Sequence, residues 1–342
     1  MILKILAFLI PALAFASDGI RITGRIVDSE TGDPIEMVNV FLANTMKGGV
    51  TDKDGRFVIT DVSRGIYDLI AHHVGFEGAA VNLDLLGQPP EALTVKLKPR
   101  ILAGQKVLVE AEPPKEWLRM LGVFKREFLG QSDNSRHCAI LNPEFLNFEY
   151  DKSSDCFTAS TDRLLKIRNN SLGYSVDLLL EKFEFQKSVV VYSIVPRFAE
   201  LQPANPSENQ RWVRARRTTY LGSFKHFMSC LAENRLENGG FKASGMKQDF
   251  FKDHQTPDIT VTPLPGTQDA EHRFRKIHFD GCIKVSSSYF PDERAILCMK
   301  LEEAVIDTKG NVYTKFAFYK SGHWSGERVA DLLPNEYAVM DE

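Results

Sequence analysis

From Ile20 to Leu97 apolar side chains recur at every second position in short runs, and each run stops at turn residues. Ile20, Ile22 and Ile26 alternate with polar neighbours, and Gly24 falls in phase with them. Thr31-Gly32-Asp33-Pro34 makes a turn, Met37 to Leu42 is a second strand, and Gly48-Gly49 interrupts it. Thr51-Asp52-Lys53-Asp54-Gly55 predicts a tight turn, because Asp bonds its own backbone and Gly accepts positive φ. Phe57 and Ile59, then Tyr67, Leu69 and Ala71, then Leu93, Val95 and Leu97 keep the period of two. Short alternating runs of this kind predict an all-β sandwich.

Beyond residue 113 the pattern mixes. Trp117, Met120, Leu121, Phe124 and Phe128 recur at helical spacing, with Gly130 to end the helix. Leu172 to Val195 predicts two strands around Gln186-Lys187. A helix is expected from Tyr220 to Leu236, and a short one from Glu327 to Leu333, stopped by Pro334. Residues 203–209 and 253–272 read as loops. Ile277, Phe279, Ile283 and Val285, then Leu297, Met299 and Leu301, alternate as strands; a hairpin at Asp307–Asn311 returns along Val312 to Tyr319. The fold class expected is mainly β with α+β character: an N-terminal β-sandwich, a linker over 99–116 in which Val107 to Val109 is an edge strand, and an α+β domain rich in antiparallel strands.

Gly24-Arg-Ile-Val-Asp-Ser-Glu-Thr-Gly-Asp-Pro-Ile35, Val38-Asn-Val40, Thr51-Asp-Lys-Asp-Gly-Arg-Phe57, Gly65-Ile-Tyr67 and Gly75-Phe76 resemble, in order and spacing, the carboxypeptidase regulatory-like family. The resemblance implies a transthyretin-like seven-stranded sandwich without catalytic residues of its own, met in exported Gram-negative proteins. It also heads TonB-dependent transporters, a setting not expected for a chain ending at Glu342. Two further stretches, Tyr220 to Phe227 and Gly322 to Pro334, resemble a region that accompanies this module in envelope proteins and implies no activity.

The first residues add a destination. Lys4, the apolar run Ile5 to Leu13 broken only by Pro11, and Ala14-Phe15-Ala16 predict a signal peptide over residues 1–16, cleaved before Ser17. The run is shorter than the roughly 20 apolar residues a spanning helix needs. No later segment is apolar for that long, so no transmembrane segment is expected. The organisation expected is a leader over 1–16, the sandwich over 17–112 and the α+β domain over 113–342, exported to the periplasm or cell envelope of a Gram-negative bacterium. A net charge of −3, one unit lower without Lys4, gives no attraction to nucleic acid.

No catalytic, cofactor or metal site is expected. Metallocarboxypeptidases need H-x-x-E and a distant His, and none of the eight histidines has Glu three residues later. Asp52-x-Asp54-Gly55 is too short for a calcium loop. Cys138 beside His137, and His323 with Ser325 and Glu327, are the nearest approaches to nucleophile chemistry, with Ser325 read as a helix N-cap. Arg211, Arg214, Arg216 and Arg217 are the densest basic cluster. On an extended segment Arg214 and Arg216 share a face, a weak candidate for an anion site. Period-two alternation puts Cys282 and Cys298 on the same side of a sheet, opposed if the hairpin centres on Phe290, which predicts a disulfide. The function expected is a non-enzymatic envelope protein whose sandwich binds or assembles with an envelope protein or glycan. The alternatives are a hydrolase with its site in 113–342, or a carbohydrate- or peptide-binding protein using Trp117, Trp212 and Trp324.

Overall fold

A computed structural model describes residues 19–88, 90–100, 113–246, 258–265 and 273–339. The expected leader and the Val107–Val109 strand lie outside the described residues, as does much of the 253–272 loop.

Among the described residues, seven strands form the N-terminal sandwich: β1 (Ile20–Asp28), β2 (Asn39–Leu42), β3 (Gly48–Val50), β4 (Arg56–Val62), β5 (Ile66–His72), β6 (Ala79–Asp84) and β7 (Leu93–Leu97). They pair as β4-β1-β7 and β3-β2-β5-β6. The alternation explains the core, since Ile22, Ile26, Val40, Leu42, Phe57, Ile59, Leu69 and Val95 all turn into it. Gly24 is required between them. It lies opposite Phe57, and a Cβ there would sit 2.6 Å from the Phe57 ring.

Next come α1 (Lys115–Leu129), β8 (Cys138–Ile140), β9 (Asn147–Asp151), β10 (Cys156–Ser160), β11 (Leu165–Asn169), β12 (Tyr174–Gln186), β13 (Val189–Glu200) and α2 (Pro206–Tyr220). The strands make a six-stranded antiparallel sheet in which β13 pairs with β12 along its whole length. The inward positions of β12 are Tyr174, Val176, Leu178 and Leu180, and then Phe183. This change of phase is produced by a bulge between Leu180 and Lys182. An extra residue, Glu181, returns Phe183 to the core face that an unbroken strand would turn it from. Leu121, Phe124 and Phe128 of α1 cover that face.

The remainder is α3 (Phe224–Ala232), β14 (Phe241–Met246), β15 (Thr260–Pro263), β16 (Phe274–His278), β17 (Cys282–Ser287), β18 (Phe290–Met299), β19 (Ala304–Asp307) and β20 (Phe318–Gly322). Sheets β14-β17-β18-β20 and β15-β16-β19 share a core with α3.

Four expectations are corrected. The segment expected as one helix over Tyr220–Leu236 is the end of α2 and a separate α3, broken at Leu221–Ser223, where Gly222 takes φ 83°. The expected loop at 203–209 contains the start of α2, which Asn205 caps by accepting from the Glu208 N–H at 2.9 Å, with Pro206 in the first turn. The Asp307–Asn311 turn returns only as a single bridge, Ile306 to Val312, and Phe318–Gly322 pairs with β18 instead. No α-helix forms over Glu327–Leu333. Trp324 is buried in the α3 core and Val329 in the α1 core, so the chain between them is drawn out, with 3-10 turns at His323–Gly326 and Val329–Asp331.

The sandwich is docked on the rest of the chain. Phe41 and Ile70, on the outer face of its β2-β5 sheet, are buried together with Leu164 and Val195. The turn after β2 is gripped from two sides: Asn44 N–H donates to Pro196 O at 2.8 Å and Phe198 N–H to Thr45 O at 2.9 Å, while Asn335 N–H donates to Asn44 O at 2.8 Å. Met46 N–H donates to Glu336 Oε1 at 2.9 Å.

Candidate functional site

The residues nearest to nucleophile chemistry do not assemble. Ser325 Oγ donates to Gly322 O at 2.7 Å and caps no α-helix. His323 stacks on Phe290 at 4.1 Å, and its Nδ1 meets Glu293 Oε2 at 2.7 Å. Glu327 accepts from the Phe224 N–H at 2.9 Å and faces Lys320 Nζ at 3.6 Å. Burial raises the Glu327 carboxyl above its ordinary range. Each member is committed to a different neighbour. Burial, with Asp331 nearby, pushes the Cys138 thiol up to about 12, so the thiolate a nucleophile needs is disfavoured. Asp52 closes its own turn, accepting from the N–H groups of Asp54 and Arg56 at 3.0 and 2.8 Å.

The arginine reading is corrected. Arg214 and Arg216 stand on a helix, not an extended segment, and two residues along a helix face roughly opposite directions. Arg214 is exposed. Arg216 is spent on structure: Nε donates to Leu172 O at 2.7 Å, one terminal nitrogen meets Glu200 Oε1 at 2.6 Å, and the guanidinium lies 4.0 Å over the Tyr174 ring. The tryptophans form no shelf. Trp212 and Trp324 are buried with their N–H groups on Asn170 O and Gly222 O, and Trp117 is half-buried against the α1 core.

What the fold does build is a cleft of about 390 Å³ between the flank of α1 and the ends of two hairpins. Its floor is the edge of the α1 core, with Met120, Val123, Phe157 and Phe185 presenting apolar surface. Its rim is cationic: Arg119 and Arg126 from α1, and Lys187 from the β12–β13 turn. Arg119, Val123 and Arg126 fall at i, i+4 and i+7, one stripe of the helix beside the buried face. Arg119 pairs with Glu116 at 2.6 Å and Arg126 with Glu127 at 2.7 Å. Among the described residues, no ion pair is formed by Lys187. On the other wall the Tyr150 hydroxyl donates to Asp155 Oδ1 at 2.6 Å, a bond that raises the Tyr150 phenol above its ordinary value and keeps it protonated. The sequence carried a trace of this site in the arginine spacing beside the α1 apolar face and in the Gln186-Lys187 turn. That three distant segments meet there was not readable.

The seven-stranded N-terminal body has its counterpart among known families: the model of the CarboxypepD_reg-like domain matches residues 22–109. This sandwich is a CarboxypepD_reg-like domain. Residues lining the cleft all lie beyond the CarboxypepD_reg-like domain, which contributes instead the docking face of Phe41 and Ile70. No curated protein matches the chain. Among solved structures, one chain of a type II cohesin–X-dockerin complex from Acetivibrio cellulolyticus is 20% identical, over 30% of this chain and 72% of that one, with a TM-score of 0.22. A "putative carbohydrate binding protein" from Bacteroides uniformis is 10% identical over 79% of this chain and 91% of that one, with a TM-score of 0.20. At these scores neither likeness transfers a ligand or a partner.

Proposed function

We propose that the chain is a non-enzymatic, exported binding protein of the cell envelope, in which the sandwich (17–112) is an assembly module and the remainder (113–342) carries the binding surface. One observation carries the assembly role: the outer face of the CarboxypepD_reg-like domain, Phe41 and Ile70, is buried on Leu164 and Val195, and its β2–β3 turn is gripped by backbone bonds. The dispersal of His323, Ser325 and Glu327 onto separate partners supports a non-enzymatic reading over a hydrolase. Export rests on the residues before Ser17; no helix among the described residues is long and apolar enough to cross a membrane. The test is twofold. Protein recovered from the envelope should begin within a residue or two of Ser17, and an intact Met1 sinks export. The same preparation should not turn over ester or peptide substrates; turnover removed by Ser325→Ala or by a chelator sinks the non-enzymatic reading.

A further inference from the structure

We propose that the cleft between α1 and the two hairpin ends is a binding site for a small apolar molecule carrying a single anionic head, the chemistry of a medium-chain carboxylate. The inference rests on the reading of residues 113–342 as a binding body, and it adds the ligand class.

The shape is the first support. About 390 Å³ lies at the small end of ligand cavities, which run from roughly 300 to 1,000 Å³ and combine an apolar lining with a few placed polar groups. Met120, Val123, Phe157 and Phe185 supply a continuous apolar floor for a chain or ring. Charge is the second. Among the described residues, three cations stand on the rim against one carboxylate, Asp155, whose Oδ1 is already taken by the Tyr150 hydroxyl. Two of those cations have acidic partners on α1, which leaves Lys187 as the group able to neutralise an incoming anion.

The backbone at Lys187 is the third, independent support. Gln186 pairs with Val189, so Lys187 and Ser188 are the two central residues of a tight hairpin, at φ 48° and φ 65°. Such a turn needs positive φ at both positions and favours Asn-Gly. The left-handed conformation costs a residue with a Cβ about 1–2 kcal/mol. Lys and Ser are poor choices for making this turn, yet both line the cleft. A charged side chain held at a strained turn position on a cavity rim is kept for what it meets there and not for the turn it forms, and here that side chain is Lys187.

The experiment is calorimetric titration of the mature protein with octanoate, octylammonium and acetate. Octanoate should bind at one site per chain, while octylammonium, with the wrong charge, and acetate, with no apolar body, should not. Lys187→Glu should weaken octanoate by about tenfold or more, as expected when one cation at an anion site is reversed. Val123→Trp should abolish binding by filling the floor; if circular dichroism shows that variant unfolded, Lys187→Glu decides. Octylammonium binding as tightly as octanoate, Lys187→Glu leaving octanoate unchanged, or no octanoate binding overturns the proposal. Those results would leave the assembly role standing, since that depends on Phe41 and Ile70 and not on the cleft.

Discussion

Cys282 and Cys298 lie directly opposite each other on β17 and β18, with Cα atoms 4.0 Å apart and the two sulfurs joined. The route to this register differs from a symmetrical hairpin about Phe290. The turn is Ser288-Tyr289, with Ser287 paired to Phe290. A bulge between Val285 and Ser287 then takes up three extra residues of β18, and from Val285–Ala295 onward the pairs fall where a turn centred on Phe290 would have put them. Met246 and Tyr319 extend the same row across β14 and β20.

Non-reducing peptide mapping of the purified protein should recover the two cysteines in one linked fragment. The sequence separation of 16 predicts that Cys282→Ser with Cys298→Ser lowers stability by roughly 3 kcal/mol, the entropy of one short closed loop. Labelling of both thiols in the denatured, unreduced protein would count against the bond.

Phe41 gives a test of docking that separates it from folding. Its side chain is fully buried, but against Leu164 and Val195 and not inside the sandwich. In the full chain Phe41→Ala should cost about 3–5 kcal/mol, the usual loss for a buried aromatic. In a fragment of residues 18–112, where the second body is absent, the same substitution should cost little. Urea denaturation of the four proteins checks this, and an equal loss in both backgrounds would place Phe41 in the sandwich's own core.

The elements that the sequence announced are those with one dominant period. β1, β4 and β7 alternate cleanly, and α1 shows Leu121, Phe124 and Phe128 on one stripe. α2 hid because it buries little: Trp212 and Tyr220 are its buried residues, and most of the rest is Arg, Glu, Gln, Asn, Ser and Thr. Its start was nevertheless written in Asn205-Pro206, a capping pair. The bulge at Glu181 could not be read from a single strand, since an extra residue shows only against a partner in register. The cleft is the same problem at larger scale. Arg119, Asp155 and Lys187 meet because α1, β9–β10 and β12–β13 pack together, and no local pattern encodes that packing.

Lys225 should make stability depend on alkaline pH. Its Nζ donates to Pro334 O at 2.8 Å, and burial pushes the amine down to about 8 despite the attraction of Asp307 and Glu336, with Lys309 adding to the depression. Between about 8 and the ordinary lysine value the unfolded chain binds more protons than the folded one, so stability should rise with pH across that window and be flat in this respect below it. Thermal melts from pH 7 to 10 should therefore climb relative to those of Lys225→Met, in which this contribution is gone. Parallel curves for the two proteins would show that the amine is not held at a depressed value.

The turn at the cleft rim provides a prediction about stability that does not depend on any ligand. Ser188 sits at φ 65° with its flanking residues Gln186 and Val189 held in register, so Gly at this position adopts the same backbone without the Cβ penalty. The unfolded chain gains freedom from the same change, which offsets part of the relief. Ser188→Gly should then raise stability by about 0.5–1 kcal/mol, and adding Lys187→Asn should not reverse the gain, because Asn-Gly is the preferred pair for this turn. The two variants separate strain from recognition: Ser188→Gly keeps Lys187 and should keep octanoate binding, while the double variant should be at least as stable and bind it less. A loss of stability in Ser188→Gly would mean that the serine side chain contributes more to the folded state than its backbone conformation costs.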